Sequence, residues 1–558
     1  MRKATLTLAL ALGLTLSSGA NAARFVINNV DPPGRGFNDN TAAAPVGGNT
    51  GTTIGEQRRV AFAYALQIWG NTIESSVPIT LQGSFQPLTC TATGAVLGSA
   101  GTQQIFSDFR GAPLSGHWYH GALANTISGR DLSPGPNDAF YRAPTARDEI
   151  RAQFNSELGK PGCLPGAFFY YGLDNNAPAG QIDFLNTFLH EVAHGLGFSN
   201  FANEGSTTDT LINGLPDVYM ANTKDVSTGK QWNTMSPAEI VASAVNTGQV
   251  VWTGPEVTAQ APSSLAPGVQ GIAFSGTLQR DVTELGIAQF GPPATASNFA
   301  GDVVFVNDGV GAPPPSTGAP STSDGCEPFT GVAGKVALID RGLCGFAVKT
   351  KNAQNAGATA VIIANNLGRG EQDMAGVDPT ITIPTLLVSN ANADRIRAGL
   401  PGVFAQFFLD TNRLAGTTPD PRTGNTYVRL YAPSTFAGGS SISHFDTAAR
   451  PNLLMEPFIS ADLKSATNLD LTPALMQDVG WVLRPGIGDV TIWGCDTDVP
   501  RASDAGKQLS SAVTSCAANS SNNGLFQSCV VHATNSLVAA GYLSTTQTGR
   551  IASCAAGN

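Results

Sequence analysis

The stretch Phe184-Leu-Asn-Thr-Phe-Leu-His190-Glu191-Val-Ala-His194-Gly195-Leu-Gly197-Phe198 holds the residues best suited to chemistry. His190 and His194 are four apart, so on a helix their imidazoles stack on one face. Two imidazoles placed this way can bind one Zn²⁺. Glu191 follows the first of them and can act as general base on water that the metal acidifies toward a pKa of ~7. A His-Glu-x-x-His run also arises by chance on solvated helices. Here Phe184, Leu185, Phe188, Leu189, Val192 and Leu196 surround it, so the spacing predicts a largely buried helix over 184–195. A buried helix has little reason to carry two histidines and a glutamate unless they are paired or metal-bound.

Gly195 and Gly197 break that helix just after the motif. Up to Gly197 the run resembles the metzincin pattern HExxHxxGxxH, which implies a third ligand at position 200; Asn200 stands there, a poor zinc ligand. Another residue must complete the site. The chain has six histidines, at 117, 120, 190, 194, 444 and 532. His444 stands in Gly439-Ser-Ser-Ile-Ser-His444-Phe-Asp446, and Met455 follows in Asn452-Leu-Leu-Met455-Glu-Pro457. This arrangement resembles the leishmanolysin-like branch of the metzincin metallopeptidases. There an insertion separates the third histidine from the motif helix, and a methionine turn underlies the metal. Leu469-Asp-Leu-Thr-Pro-Ala-Leu-Met-Gln-Asp-Val-Gly-Trp481 resembles the closing helix of that family. The resemblance implies His190, His194 and His444 as ligands of one catalytic zinc, Glu191 as catalytic base and Met455 as the Met-turn residue. It implies hydrolysis of peptide bonds in a protein or peptide substrate.

The 250 residues from His194 to His444 can hold a whole domain. Asp340-Arg-Gly-Leu-Cys344-Gly-Phe346-Ala-Val-Lys349-Thr-Lys-Asn352-Ala-Gln-Asn-Ala356-Gly357-Ala358 resembles the protease-associated (PA) domain, as does Ile383-Pro384-Thr-Leu-Leu-Val388. The short apolar runs 335–339 and 360–364 read as buried strands on either side of a helix over 346–356. Such a domain implies contact with substrate or a partner, or a passive lid. Cys326 and Cys344 could pair within it.

The elements that must position the site follow. A strand is expected over 24–28 and a helix over 56–73. Further strands are expected over 77–81, 84–88 and 168–171, the last ended by Gly172, and the metzincin resemblance implies strands over 154–159 and 168–174. In metzincins the edge strand of this sheet borders the cleft and can pair with an extended substrate, and the sequence leaves open which strand that is. The expected fold class is α+β. A metzincin-type catalytic domain, a mixed sheet plus active-site helix over 23–262 and 436–485, is interrupted by an α/β PA domain over 265–410. A small helical, disulfide-bonded module over 490–558 follows, resembling one that recurs at the C-terminus of bacterial secreted proteins.

The chain has 558 residues, 42 % hydrophobic and only 13 % charged, with 63 glycines. That suits several loop-rich globular domains and argues against coiled coils. Residues 1–22 read as an export signal: basic Arg2-Lys3, an apolar run over 6–16 too short to span a membrane, and Ala20-Asn21-Ala22 for cleavage. Removal of Arg2 and Lys3 leaves 29 basic against 41 acidic residues, a net charge of −12. An acidic chain without basic runs excludes nucleic acid as an expected partner. Eight cysteines in an exported chain favour disulfides. Cys90 and Cys163 are expected to pair, and the tail cysteines 495, 516, 529 and 554 allow three connectivities. No cysteine switch and no substantial pro-segment are expected. His117 and His120 read as ordinary residues of an aromatic segment rather than a second metal site, and Asp496 and Asp498 are weak candidates for structural Ca²⁺. The competing reading is a catalytically silent scaffold that binds a protein or surface through insert and tail. A PA domain on a non-peptidase hydrolase would leave His444 and Met455 to coincidence.

Overall fold

The computed structural model describes residues 22–556 apart from 92–93, 134–147, 284, 310–321, 343, 366–373, 375, 377, 485–488, 493–494, 501–502 and 521–522. The expected export signal lies outside them except for Ala22.

Thr53 and Glu56 open the first long helix, Ile54–Thr72, with a reciprocal cap. The Thr53 hydroxyl accepts from the Glu56 N–H, and the Glu56 carboxylate accepts from the Thr53 N–H. Its buried face packs on the motif helix, Phe184–Leu196. The Phe62 and Phe188 rings lie 4.1 Å apart, and Trp69 Nε1 donates to the Leu189 carbonyl at 3.1 Å. Every residue of the motif helix is buried, so its polar members stand in the core and not on a solvated face.

A four-stranded sheet covers the two helices in the order Phe25–Asn29, Ile79–Gln86, Ile150–Asn155, Gly98–Thr102. The first three strands are parallel, and Gly98–Thr102 is an antiparallel edge. The two strands expected over 77–88 are one, running straight through Gly83. The ring of Phe62 approaches so closely there that a Cβ would lie 2.9 Å from it. The expected strand over 154–159 ends at Asn155. Gly159, at φ +83°, turns the chain there and donates to the Cys163 carbonyl, and Cys163 is bonded to Cys90. Over 168–174 only Phe169–Tyr170 is strand, paired with Ile182–Asp183.

One apolar core runs through residues 23–265 and 428–481. The intervening unit has two apolar clusters of its own, and the tail has a fourth. The insert leaves and rejoins the first core on paired antiparallel strands, Pro267–Gly276 and Val403–Leu414. Ala415 N–H donates to the Ala266 carbonyl at 3.0 Å, so the two ends of the insertion are neighbours. The returning chain, between the segments expected from sequence, adds strand Thr426–Arg429 beside Val250–Trp252. Within the insert, Ala300–Phe305, Val336–Asp340, Ala360–Ala364 and Thr385–Val388 form a parallel array inside an eight-stranded sheet. Helix Phe346–Asn355 connects two of these strands and is followed by Gly357 at φ +85°.

The tail is a hairpin, Asp489–Ile492 with Cys495–Pro500, against helices Asp504–Asn519, Asn523–Ala539 and Thr545–Ala555. Disulfides join Cys90 to Cys163, Cys326 to Cys344, Cys495 to Cys554 and Cys516 to Cys529. No described helix is long and apolar enough to cross a membrane.

Candidate metal centre

Asp183 caps the motif helix by accepting from the Asn186 N–H at 3.0 Å. At the other end Gly195 lies against Ile150, where a Cβ would come within 2.4 Å, and Gly197 takes φ +145°. The turn at Gly197 brings the Phe198 carbonyl to 2.7 Å from His194 Nδ1. The two glycines therefore permit a close helix–sheet contact and aim a carbonyl at an imidazole.

The structure brings His444 to this helix. His190 Nε2 lies 3.1 Å from His194 Nε2 and 3.1 Å from His444 Nε2, and the remaining side of the triangle is 3.2 Å. Each Nδ1 faces a carbonyl oxygen: Leu454 at 2.7 Å for His190, Phe198 at 2.7 Å for His194, Ser440 at 2.8 Å for His444. A carbonyl only accepts, so each ring carries its proton on Nδ1 and directs an Nε2 lone pair inward. All three are at most 8 % exposed. Burial, and for His190 and His444 also the neighbouring imidazoles, disfavours the charged form. His190 falls to about 3, His194 to about 4, and His444 well below the usual range. Three converging lone pairs with no proton among them repel one another unless a cation is shared. Tetrahedral Zn–N bonds of about 2.0–2.1 Å set their nitrogens about 3.3–3.4 Å apart, close to the triangle seen here. The residues present therefore fit a Zn²⁺ ion, and the carbonyls on Nδ1 are the outer partners that metal-binding histidines usually have.

Glu191 is buried beside them, and burial raises its carboxyl to about 8, while the Ala100 N–H pulls the other way. Its side chain packs on Gly98, where a Cβ would lie 2.7 Å from Oε1. Of the two edge strands of the sheet, Gly98–Thr102 is the one that borders Glu191. Gly98 and Ala100 carry no sequence signal, since Gly-Ser-Ala-Gly-Thr has no strand-like alternation. Met455 is fully buried in the turn 453–456. The Leu454 carbonyl of that turn holds His190, and the Met455 carbonyl accepts from the Phe445 N–H at 2.8 Å. Glu456 and Asp470 brace the turn, accepting from the N–H groups of Leu453 and Leu454.

Asn200 does not reach the triangle; it bonds Ser443. His117 and His120 part company: His117 meets Ser115 and Asn233, while His120 is buried on Ser199. His532 is exposed. Asp498 is exposed and faces Arg550 at 3.9 Å, and the Asp496 side chain lies outside the described residues. Cys90 is in a disulfide and not on the histidines.

Residues 294–396 match the PA domain family, so the chain carries a PA domain. Vacuolar-sorting receptor 1 of Pisum sativum is 30 % identical over 132 residues, 21 % of this chain and 19 % of that protein. Vacuolar-sorting receptor 7 of Arabidopsis thaliana is 32 % identical over 129 residues, 20 % and 18 %. The chain thus spans about a fifth of the length of these curated relatives. Among solved structures, an aminopeptidase from Aneurinibacillus sp. strain AM-1 is 22 % identical with TM-score 0.19, covering 26 % of this chain and 31 % of that one. A zinc aminopeptidase from Bacillus subtilis is 21 % identical with TM-score 0.19, covering 29 % and 39 %. The family match assigns the insert and leaves the three-histidine region to its own geometry.

Proposed function

We propose that this chain is an exported zinc-dependent endopeptidase of the metzincin type, with the leishmanolysin-like order of site residues. The observation that carries the reading is the triangle of three inward, unprotonated Nε2 atoms with every Nδ1 committed to a carbonyl. His190, His194 and His444 would hold the ion, with Met455 in the turn that braces His190. Zinc held there supplies Lewis acidity to a water nucleophile and to the oxygen of the scissile carbonyl. Glu191 takes the proton of the attacking water and returns it to the leaving amine. A carboxyl raised by burial is well matched to both halves of that transfer near neutral pH. The outer side of Gly98–Thr102 offers backbone groups on which an extended peptide can add as a further strand. Such pairing binds a chain along its length and suits internal cleavage. The four disulfides suit an exported protein.

A binding role belongs with the insert. The curated relatives are sorting receptors by name, which supports partner or substrate contact by the PA domain. As a reading of the whole chain, a silent scaffold leaves Glu191 without a use in the core. The test compares wild-type protein with Glu191→Ala on an unfolded protein substrate. Internal cleavage by wild type should fall by at least about 10³-fold in the variant, a general-base contribution plus lost water activation. Equal cleavage by both refutes the reading.

A further inference from the structure

His444 reaches the motif helix from 250 residues downstream of His194. Helix geometry fixes the first two imidazoles against each other but cannot fix the third. The segment around His444 must be docked by contacts of its own. Tyr219 Oη donates to the Ile442 carbonyl at 2.9 Å, and the Phe445 ring meets Phe198 edge-on at 5.0 Å. The Tyr431 N–H donates to the His444 carbonyl at 2.9 Å, and a contact on the residue before the ligand is different in kind. Asn200 places two donors, its backbone N–H and its Nδ2–H, on the Ser443 hydroxyl oxygen, each at 3.2 Å. The other Nδ2 proton goes to Glu204 Oε1 at 3.0 Å, and Oδ1 accepts from the Ala202 N–H at 2.8 Å. Glu204 is itself buried.

Every hydrogen-bonding group of the Asn200 side chain is therefore committed, and Ser443 is covalently next to His444. We infer that Asn200 is a positioning residue of the metal centre: through Ser443 and Glu204 it clamps the returning segment so that His444 Nε2 completes the triangle. This rests on the zinc reading above. An amide suits the task because it donates twice and accepts once at one point without adding charge beside the ligands. Alanine keeps the backbone N–H on Ser443 but supplies none of the side-chain bonds, and a carboxylate lacks both side-chain donors and would face Glu204. With the clamp gone, the two helix histidines keep their places while the third samples a wider range. Affinity for an ion that needs all three at once then falls, whereas the fold retains the Tyr219 and Phe198 contacts.

The experiment measures zinc affinity by chelator competition, and the melting of the metal-free form, for the full chain and for Asn200→Ala, Ser443→Ala, the double variant and Ser443→Thr. Asn200→Ala and Ser443→Ala should each bind zinc about 10–100-fold more weakly, the usual effect of losing an outer partner. The double variant should be no weaker than the worse single one, because both break one contact. Ser443→Thr, which keeps the hydroxyl, should stay within about 3-fold of wild type. Cobalt-loaded Asn200→Ala and Ser443→Ala should show altered visible absorption, a change that Ser443→Thr does not share. Zinc affinities of both alanine variants within about 2-fold of wild type overturn the clamp and leave the zinc reading standing. Wild-type protein that takes up no zinc overturns both. Should Asn200→Ala fail to fold, as its metal-free melting would reveal, the Ser443 pair decides alone.

Discussion

Two groups of potential metal ligands occur among the described residues, one buried and one with a half-buried member, and they differ in the charge that stands beside them. In the first, His190, His194 and His444 direct three neutral nitrogens at a common point, each ring proton being committed to a carbonyl on the outer side. In the second, within the PA domain, carboxylate oxygens of Asp308, Asp324 and Glu327 lie within 4.8 Å of one another. That group has a cation of its own. Lys349 is wholly buried, its Nζ donates to the Asp324 carbonyl at 2.6 Å, and the surrounding carboxylates act on its charge. Burial depresses this amine to about 8, still protonated at neutral pH. Three acceptors in a cluster therefore do not by themselves ask for a metal. The first group offers acceptors alone; the second has a buried ammonium beside it, bonded to the Asp324 backbone carbonyl and acting on the carboxylates through its charge.

The comparison breaks most visibly at His444. His444→Ala should lower zinc affinity on the order of 1000-fold, one ligand's share of a binding free energy of roughly 10–16 kcal/mol. Metal content after dialysis measures it, and full zinc in the variant would mean that the triangle is not the site. On the other side, Lys349→Met removes the internal cation at similar volume and leaves the buried Asp324 carbonyl without its donor. Denaturant unfolding should show about 1–3 kcal/mol less stability for the PA domain, the cost of leaving a buried acceptor without its donor. Calcium should not raise the melting temperature of wild type; if it does, the acidic group binds an ion despite its lysine and the contrast fails. A smaller effect is expected at the edge strand. Gly98→Ala pushes a methyl group into the Glu191 side chain, whose far end can move. Folding and zinc content should therefore persist while peptide cleavage drops about 100-fold, the scale of a 1 Å displacement of a catalytic group.

The two groups also differ in how far the sequence reveals them. The PA domain is contiguous, its motif sits on one strand, loop and helix, and residues 335–339 and 360–364 read as buried strands because they are. The motif helix was legible from its all-round apolar flanks, and its end from Gly195 and Gly197. His444 was legible only through a resemblance, since spacing says nothing about a residue 250 positions away. Gly98 and Ala100 gave no signal: their role arises from the approach of Glu191 in three dimensions. The Asn200–Ser443 contact has no sequence signal, and the four tail cysteines allow several pairings, for the same reason: partners distant in sequence are chosen by the fold. Local pattern predicts what an element is, and close packing decides which elements share a site.

The smallest expected effect is an absence of change, and it follows from the burial of the histidines. An ordinary imidazole takes its proton near pH 6.5, and an exposed histidine site loses its metal as that proton competes. Here native His190 and His194 are driven down to about 3 and about 4 by burial. Zinc occupancy should therefore hold nearly constant from pH 7.5 to 5.5 and fall only on approach to those lower values. The stability of the metal-free protein should respond sooner. Below about 6.5 the unfolded chain binds protons on these histidines while the native state does not, so their contribution is complete above that pH and is lost as pH falls toward about 4. Metal content and melting temperature measured across one pH series separate the two. Release of zinc with a midpoint near 6.5 would show that protons reach the Nε2 atoms in the folded protein, and the three histidines would then be no more self-contained than an exposed cluster.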